Sequence, residues 1–206
     1  MNLFLRAKHW QLFLLTFGIP FIFQIIMMVG VFTSIANHQN TTLILAIFKF
    51  FPLLMLLFIV AIFGWQWSVA IGLQKLVPQG IKMKVTKFKI FFMIPLVYIL
   101  FFVGFVSLFI TRVIGNNGFP DNSMFLLFPL IFLVHMFAMF CIFYCIYFVA
   151  KTIKTVELQR PVAFGDFIGE FFMVWFSFIG IWILQPRINK FMEEYEQGVN
   201  SPESQD

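Results

Sequence analysis

The sequence predicts an all-α integral membrane protein: four transmembrane helices followed by a re-entrant or interfacial C-terminal hydrophobic segment, with five spans as the alternative. Composition is the first reason. Of 206 residues, 61% are hydrophobic and 11% are charged, which leaves too little polar surface to cover a water-soluble interior. Run length is the second. The apolar residues fall into long runs separated by short polar or basic stretches, and a spanning helix needs about 20 of them. Residues 1–197 therefore read as a single polytopic membrane domain, and 198–206 as a disordered polar tail.

The first span lies near 10–35. Arg6 and Lys8 precede an apolar run longer than the roughly 7 to 15 residues of a secretory signal core, with no small-residue cleavage site, so it reads as a retained signal anchor. Trp10 suits the headgroup level. Thr16, Pro20 and Gln24 recur every fourth residue and share a face, and Pro20 cannot donate to the Thr16 carbonyl. This predicts a kinked polar face packed on another helix, with Gln24 bonded to a neighbour.

A polar turn, Asn37 to Thr42, leads to the second span, near 43–73. The run is longer than the bilayer requires, so the expectation is an early exit at Trp65-Gln66-Trp67 and continuation along the surface. Lys49 is expected to snorkel toward the opposite face. Lys75, Lys82, Lys84, Lys87 and Lys89 follow with no acid among them. Such a cluster marks the cytoplasmic side, and its partial alternation with Ile81, Met83 and Val85 makes it a candidate contact for anionic lipid headgroups or a partner. No glycine loop or aromatic platform accompanies the lysines, so nucleic acid is not an expected partner.

The third span lies near 90–110, with Pro95 near its entry and a small-residue face at Gly104, Ser107 and Thr111 that permits close helix approach. Arg112 to Ser123 is rich in turn residues. The fourth span, near 124–150, carries His135 at the same depth as Gln24, and the two are expected to form a hydrogen-bonded pair. Cys141 and Cys145 lie about 120° and 80° around the helix from His135. They complete no metal site within this helix, and two cysteines inside a span make no disulfide framework. No metal or cofactor is expected.

Arg6, Lys8, the five loop lysines, Lys151, Lys154 and Arg160 then share one side, against Lys49 and Arg112 on the other. This places the N-terminus in the cytoplasm. In the last segment, 164–185, the uninterrupted apolar part from Phe171 to Leu184 is short for a span. A turn back would keep Arg187 and Lys190 on the basic side. Asp166 and Glu170 are four apart and share a helical face beside Gly165 and Gly169, a small-residue pair. Two readings stand: a carboxylate pair that binds a cation, takes up protons or meets the 75–89 lysines, or two first-turn acids that favour the positive end of a helix. Pro186 is expected to end one helix at Gln185 and open another that runs to about Gln197.

The closing Trp182-Ile183-Leu184-Gln185-Pro186-Arg187-Ile188-Asn189 resembles the end of a group of small bacterial polytopic membrane proteins whose last apolar segment finishes in W-x-x-Q-P-R-I-N, a likeness that covers Gly165 to Asn189. The resemblance implies the bacterial inner membrane and no particular activity. The serine elbow, zinc-helix and phosphate-loop signatures are absent from the sequence. The chain therefore reads as a non-catalytic accessory or scaffold subunit of a larger membrane assembly. The alternative is a small transporter or channel-like component that acts as an oligomer.

Overall fold

The computed structural model describes residues 2–36, 41–115 and 127–200, and no strand occurs among them. The elements are α1 (Asn2–Arg6), α2 (His9–Phe13), a π-helical turn (Leu14–Gly18), α3 (Ile19–Ala36), α4 (Thr41–Gly72) with a 3-10 turn (Leu73–Leu76), α5 (Val85–Gly115), α6 (Leu127–Leu158), α7 (Phe164–Trp175) and α8 (Ser177–Asn200). Four stretches are long and apolar enough to cross a bilayer: His9–Thr33, Pro52–Leu76, Val85–Leu108 and Pro129–Leu158. The protein is a multi-pass membrane protein. Asn37 to Asn40 of the first expected turn, most of the second and the last six residues lie outside the described residues, as does the Lys49 side chain.

The first span is irregular where the sequence requires it. Pro20 brings no N–H to the Thr16 carbonyl, and the chain widens into the π turn just ahead of it, where the Ile19 N–H reaches back to the Leu14 carbonyl. Thr16 is buried, and its hydroxyl donates to the Leu12 carbonyl at 2.7 Å.

α4 is the central helix and contacts α1, α3, α5 and α6; α7 packs on α6, and α8 closes on α1 and α2. The helix does not turn onto the surface at Trp65-Gln66-Trp67. It continues to Gly72, and Trp65 is 0% exposed in the core. The reason is α1, whose Phe4 ring and Leu5 side chain lie against Gly64 and Gly72 so closely that a Cβ at either position would collide with them. Gly64, Ser68 and Gly72 make the small-residue stripe that admits this contact.

The C-terminal segment is two helices rather than one. α7 and α8 meet at 120°, and the break is at Phe176 (φ −87°, ψ 57°). Its N–H still donates to the Phe172 carbonyl at 2.8 Å, and its own carbonyl accepts from Ile179 at 3.0 Å and Gly180 at 2.9 Å. Neither the N–H nor the carbonyl of Phe176 is left bare at the bend, as an apolar setting demands. The hairpin closes on Gly180, where any Cβ would overlap the Met173 carbonyl. Pro186 neither ends nor opens a helix; it sits inside α8, which runs through Asn200. Its ring lies on the exposed side, where the lost hydrogen bond is least constrained by neighbours.

Gly104, Gly165 and Gly169 are not points of close helix approach among the described residues. A Cβ at Gly104, Gly165 or Gly169 would meet nothing within 4 Å. The tight packing is elsewhere, around Trp65, Phe88, Ile153, Phe167, Ile181, Leu184 and Ile188 at the end of the molecule that carries the basic residues. Toward the other end α3, α5 and α6 expose most of their apolar side chains, Phe21, Phe32, Phe101, Leu108, Phe132 and Leu133 among them.

Candidate functional site

Glu170 is the polar group that the fold treats most specifically. At 5% exposure it is buried, and Lys154 Nζ and Arg187 Nη2 donate to its Oε1 at 3.2 and 2.9 Å. The same two cations reach Glu157 Oε2 at 2.8 and 2.6 Å. Two acids and two bases thus form a neutral ring across α6, α7 and α8. Charge-assisted bonds of this length are strong locally, but their net value is limited by the cost of removing the charges from water. The ring fastens the hairpin to α6.

Asp166 takes no part in it. Its Oδ2 accepts the Ala163 N–H at 2.8 Å, which caps α7, and Arg160 donates to Oδ1 at 3.2 Å. Phe167 between the two acids is non-helical (φ −122°, ψ 15°), and the two carboxylates take different partners. The carboxylate pair of the sequence reading is therefore separated: Asp166 is a capping acid, as its first-turn position allows, and Glu170 pairs with Lys154 and Arg187 instead of the 75–89 lysines. In the sequence Lys154 and Arg187 enter only as charge, and Glu157 carries no signal of its own. The signal for Arg187 was present: a segment that turns back must bring it to the level of the acids near its start.

Gln185, 0% exposed, is the second hub. Its Oε1 accepts the Trp65 indole N–H at 2.8 Å. Its Nε2 faces the carbonyls of Phe4 at 3.0 Å, Leu5 at 3.3 Å and Ala7 at 2.9 Å, and Asn189 Oδ1 at 3.0 Å. Asn189 Nδ2 adds a bond to the Ala7 carbonyl at 3.3 Å. These carbonyls are the ones that a short helix leaves unpaired at its C-terminus, so the two amides of α8 cap α1. The His9 ring packs against Trp182 at a 53° tilt with centroids 4.7 Å apart, and Arg6 pairs with Glu196 at 2.6 Å. The whole closing motif acts as a lock on the N-terminal residues.

Gln24 and His135 are not a pair. His135 Nδ1 is 3.1 Å from the Tyr98 hydroxyl of α5, while Gln24 is exposed on α3 and has no hydrogen-bond partner among the described residues. Equal depth along two helices does not make them neighbours: α6 packs on α5 and α4, and α3 on α4. Cys141 and Cys145 are buried free thiols, and no group of three His, Cys, Asp or Glu that could hold a metal occurs among the described residues.

The loop lysines divide into two sets. Lys75 lies over the Tyr195 ring, 4.5 Å from its centroid, and Lys89 points outward from α5. Lys82, Lys84 and Lys87 instead line, with Lys151 of α6, a groove of about 560 Å³ whose other wall is aromatic. No family model matches the chain, and neither a curated protein nor a solved structure matches it.

Proposed function

We propose that the chain is a non-catalytic component of a larger membrane assembly, docked to a transmembrane helix of a partner chain through the outward face of α3. Gln24 carries this reading. It is a primary amide well inside the His9–Thr33 span, exposed, and unbonded among the described residues. An amide left bare in hydrocarbon costs several kcal/mol by order of magnitude, and a polar side chain on a facing helix recovers it. Phe21, Ile25, Met28 and Phe32 on either side are exposed and offer the apolar contact area. The charge distribution supports the bacterial inner membrane with the basic end in the cytoplasm: Arg6, Lys8, the loop lysines, Lys151, Lys154, Arg160, Arg187 and Lys190 lie at that end, against Lys49 and Arg112. The Trp182–Asn189 resemblance supports the same compartment.

Purification in mild detergent tests the assignment. A stoichiometric second chain that is lost on Gln24→Leu, with the thermal stability of the isolated protein unchanged, is the expected result. A monodisperse single chain, or a homodimer indifferent to Gln24→Leu, rejects it. The buried Glu170 favours the transport alternative on one outcome only: an ion flux in liposomes that Glu170→Gln abolishes without loosening the fold.

A further inference from the structure

We infer that the groove between α5 and α6 at the basic end is a binding site for an anionic phospholipid. Its charge is uncompensated. Lys82, Lys84, Lys87 and Lys151 converge on it, and none of them has a carboxylate partner among the described residues, because Glu157 and Glu170 are held by Lys154 and Arg187 and Asp166 by Arg160. Lys87 is exposed and leans over the aromatic wall, its ammonium 5.4 Å from the Tyr144 and Phe91 ring centroids. This sets a cation above an aromatic wall at the start of the Val85–Leu108 span.

The shape fits an amphiphile better than a free anion. From Lys151 the wall descends α6 through Tyr144 to Phe140, about three helical turns or roughly 16 Å, which is about the hydrocarbon depth of one leaflet. A phosphate seated among the four ammonium groups places an acyl chain along that wall. Neither end of the groove supplies both contacts alone, and the headgroup and chain of one molecule do. Lys75 and Lys89, which the sequence groups with the other three lysines, are outside this groove.

The test titrates the full-length protein in nanodiscs or detergent with phosphatidylglycerol, phosphatidylcholine and inorganic phosphate, and reads bound lipid by native mass spectrometry. One phosphatidylglycerol per chain binding at least about tenfold tighter than phosphatidylcholine is expected. The triple variant Lys82→Gln, Lys84→Gln, Lys87→Gln should bind on the order of a hundredfold more weakly, and Lys75→Gln with Lys89→Gln should bind within about twofold of the unmodified chain. Lys87→Glu alone should lose at least tenfold, which gives a second reading if the triple variant fails to fold. Equal losses in the two sets would mean diffuse adsorption to a basic surface, undiminished binding in Lys87→Glu would remove the site, and displacement of lipid by millimolar phosphate would assign it to a free anion; each overturns the inference.

Discussion

Arg187 donates to Glu170 at 2.9 Å across seventeen residues of chain, from one leg of the C-terminal hairpin to the other. That contact requires the chain to reverse between them, since a straight helix of the same length would separate the two by about 25 Å. Both residues also join α6, through Lys154 and Glu157. Reversal and attachment are therefore the same interaction.

Glu170→Gln should destabilise the protein by about 2 kcal/mol, because it leaves two cations sharing one carboxylate in a partly desolvated place. Melting followed by circular dichroism in detergent measures it. Replacement of all four ring residues by apolar ones of similar size should cost less than the single change, since no charge is then stranded. A melting temperature unaffected by Glu170→Gln would show that the ring contributes nothing to holding the hairpin.

Gln185→Leu keeps the volume of a fully buried side chain and removes its amide. The Trp65 indole N–H and the α1 carbonyls lose their partner together, at about 1–3 kcal/mol for each buried group left unpaired. Hydrogen exchange should accelerate over residues 3–8 well before the rest of the chain responds, because α1 is short and depends on this cap. Uniform acceleration along the chain would contradict a local lock.

How much of this was legible follows from what each inference depends on. Run length and lysine placement depend only on the sequence; the four spans follow from them, and they favour the turn back while leaving a fifth span as the alternative. Partner choice depends on which helix stands beside which, and depth along a span says nothing of that, so His135 finds Tyr98 and Gln24 faces outward. The burial of Trp65 was readable in part: tryptophan suits an interface, but Gly64, Ser68 and Gly72 at four-residue spacing announce that another segment covers the helix there. Asp166 and Glu170 take different partners, Arg160 for one and Lys154 with Arg187 for the other, a choice made by tertiary packing that four-residue spacing does not show. Pro186 was the most misleading signal, since proline in a helix costs a hydrogen bond that α8 gives up on its exposed side.

The hairpin places Lys8 and Gln197 at the same end of the molecule, as the Arg6–Glu196 pair requires. Cysteine at either position should therefore react alike with a membrane-impermeant thiol reagent: unlabelled in intact cells and labelled after lysis, once Cys141 and Cys145 are replaced by serine or alanine. Both thiols are buried, so that background should be low in any case. Opposite labelling at the two positions would make the last segment a fifth span.

Gly180 is the position where the reversal admits no substitute. A methyl group there meets the Met173 backbone carbonyl, which no rotamer change can withdraw, so Gly180→Ala must open the hairpin or move the chain at Phe176. Overpacking against backbone costs about 1–3 kcal/mol or more, and here the cost falls on the contact that brings Arg187 to Glu170. Gly165→Ala and Gly169→Ala meet open space and should be neutral or slightly stabilising, by up to about 1 kcal/mol. Thermal melts of the three variants, read beside proteolysis of the α8 leg, separate the outcomes. Equal behaviour of Gly180→Ala and Gly169→Ala would mean that the two legs do not approach as closely as the bend at Phe176 requires.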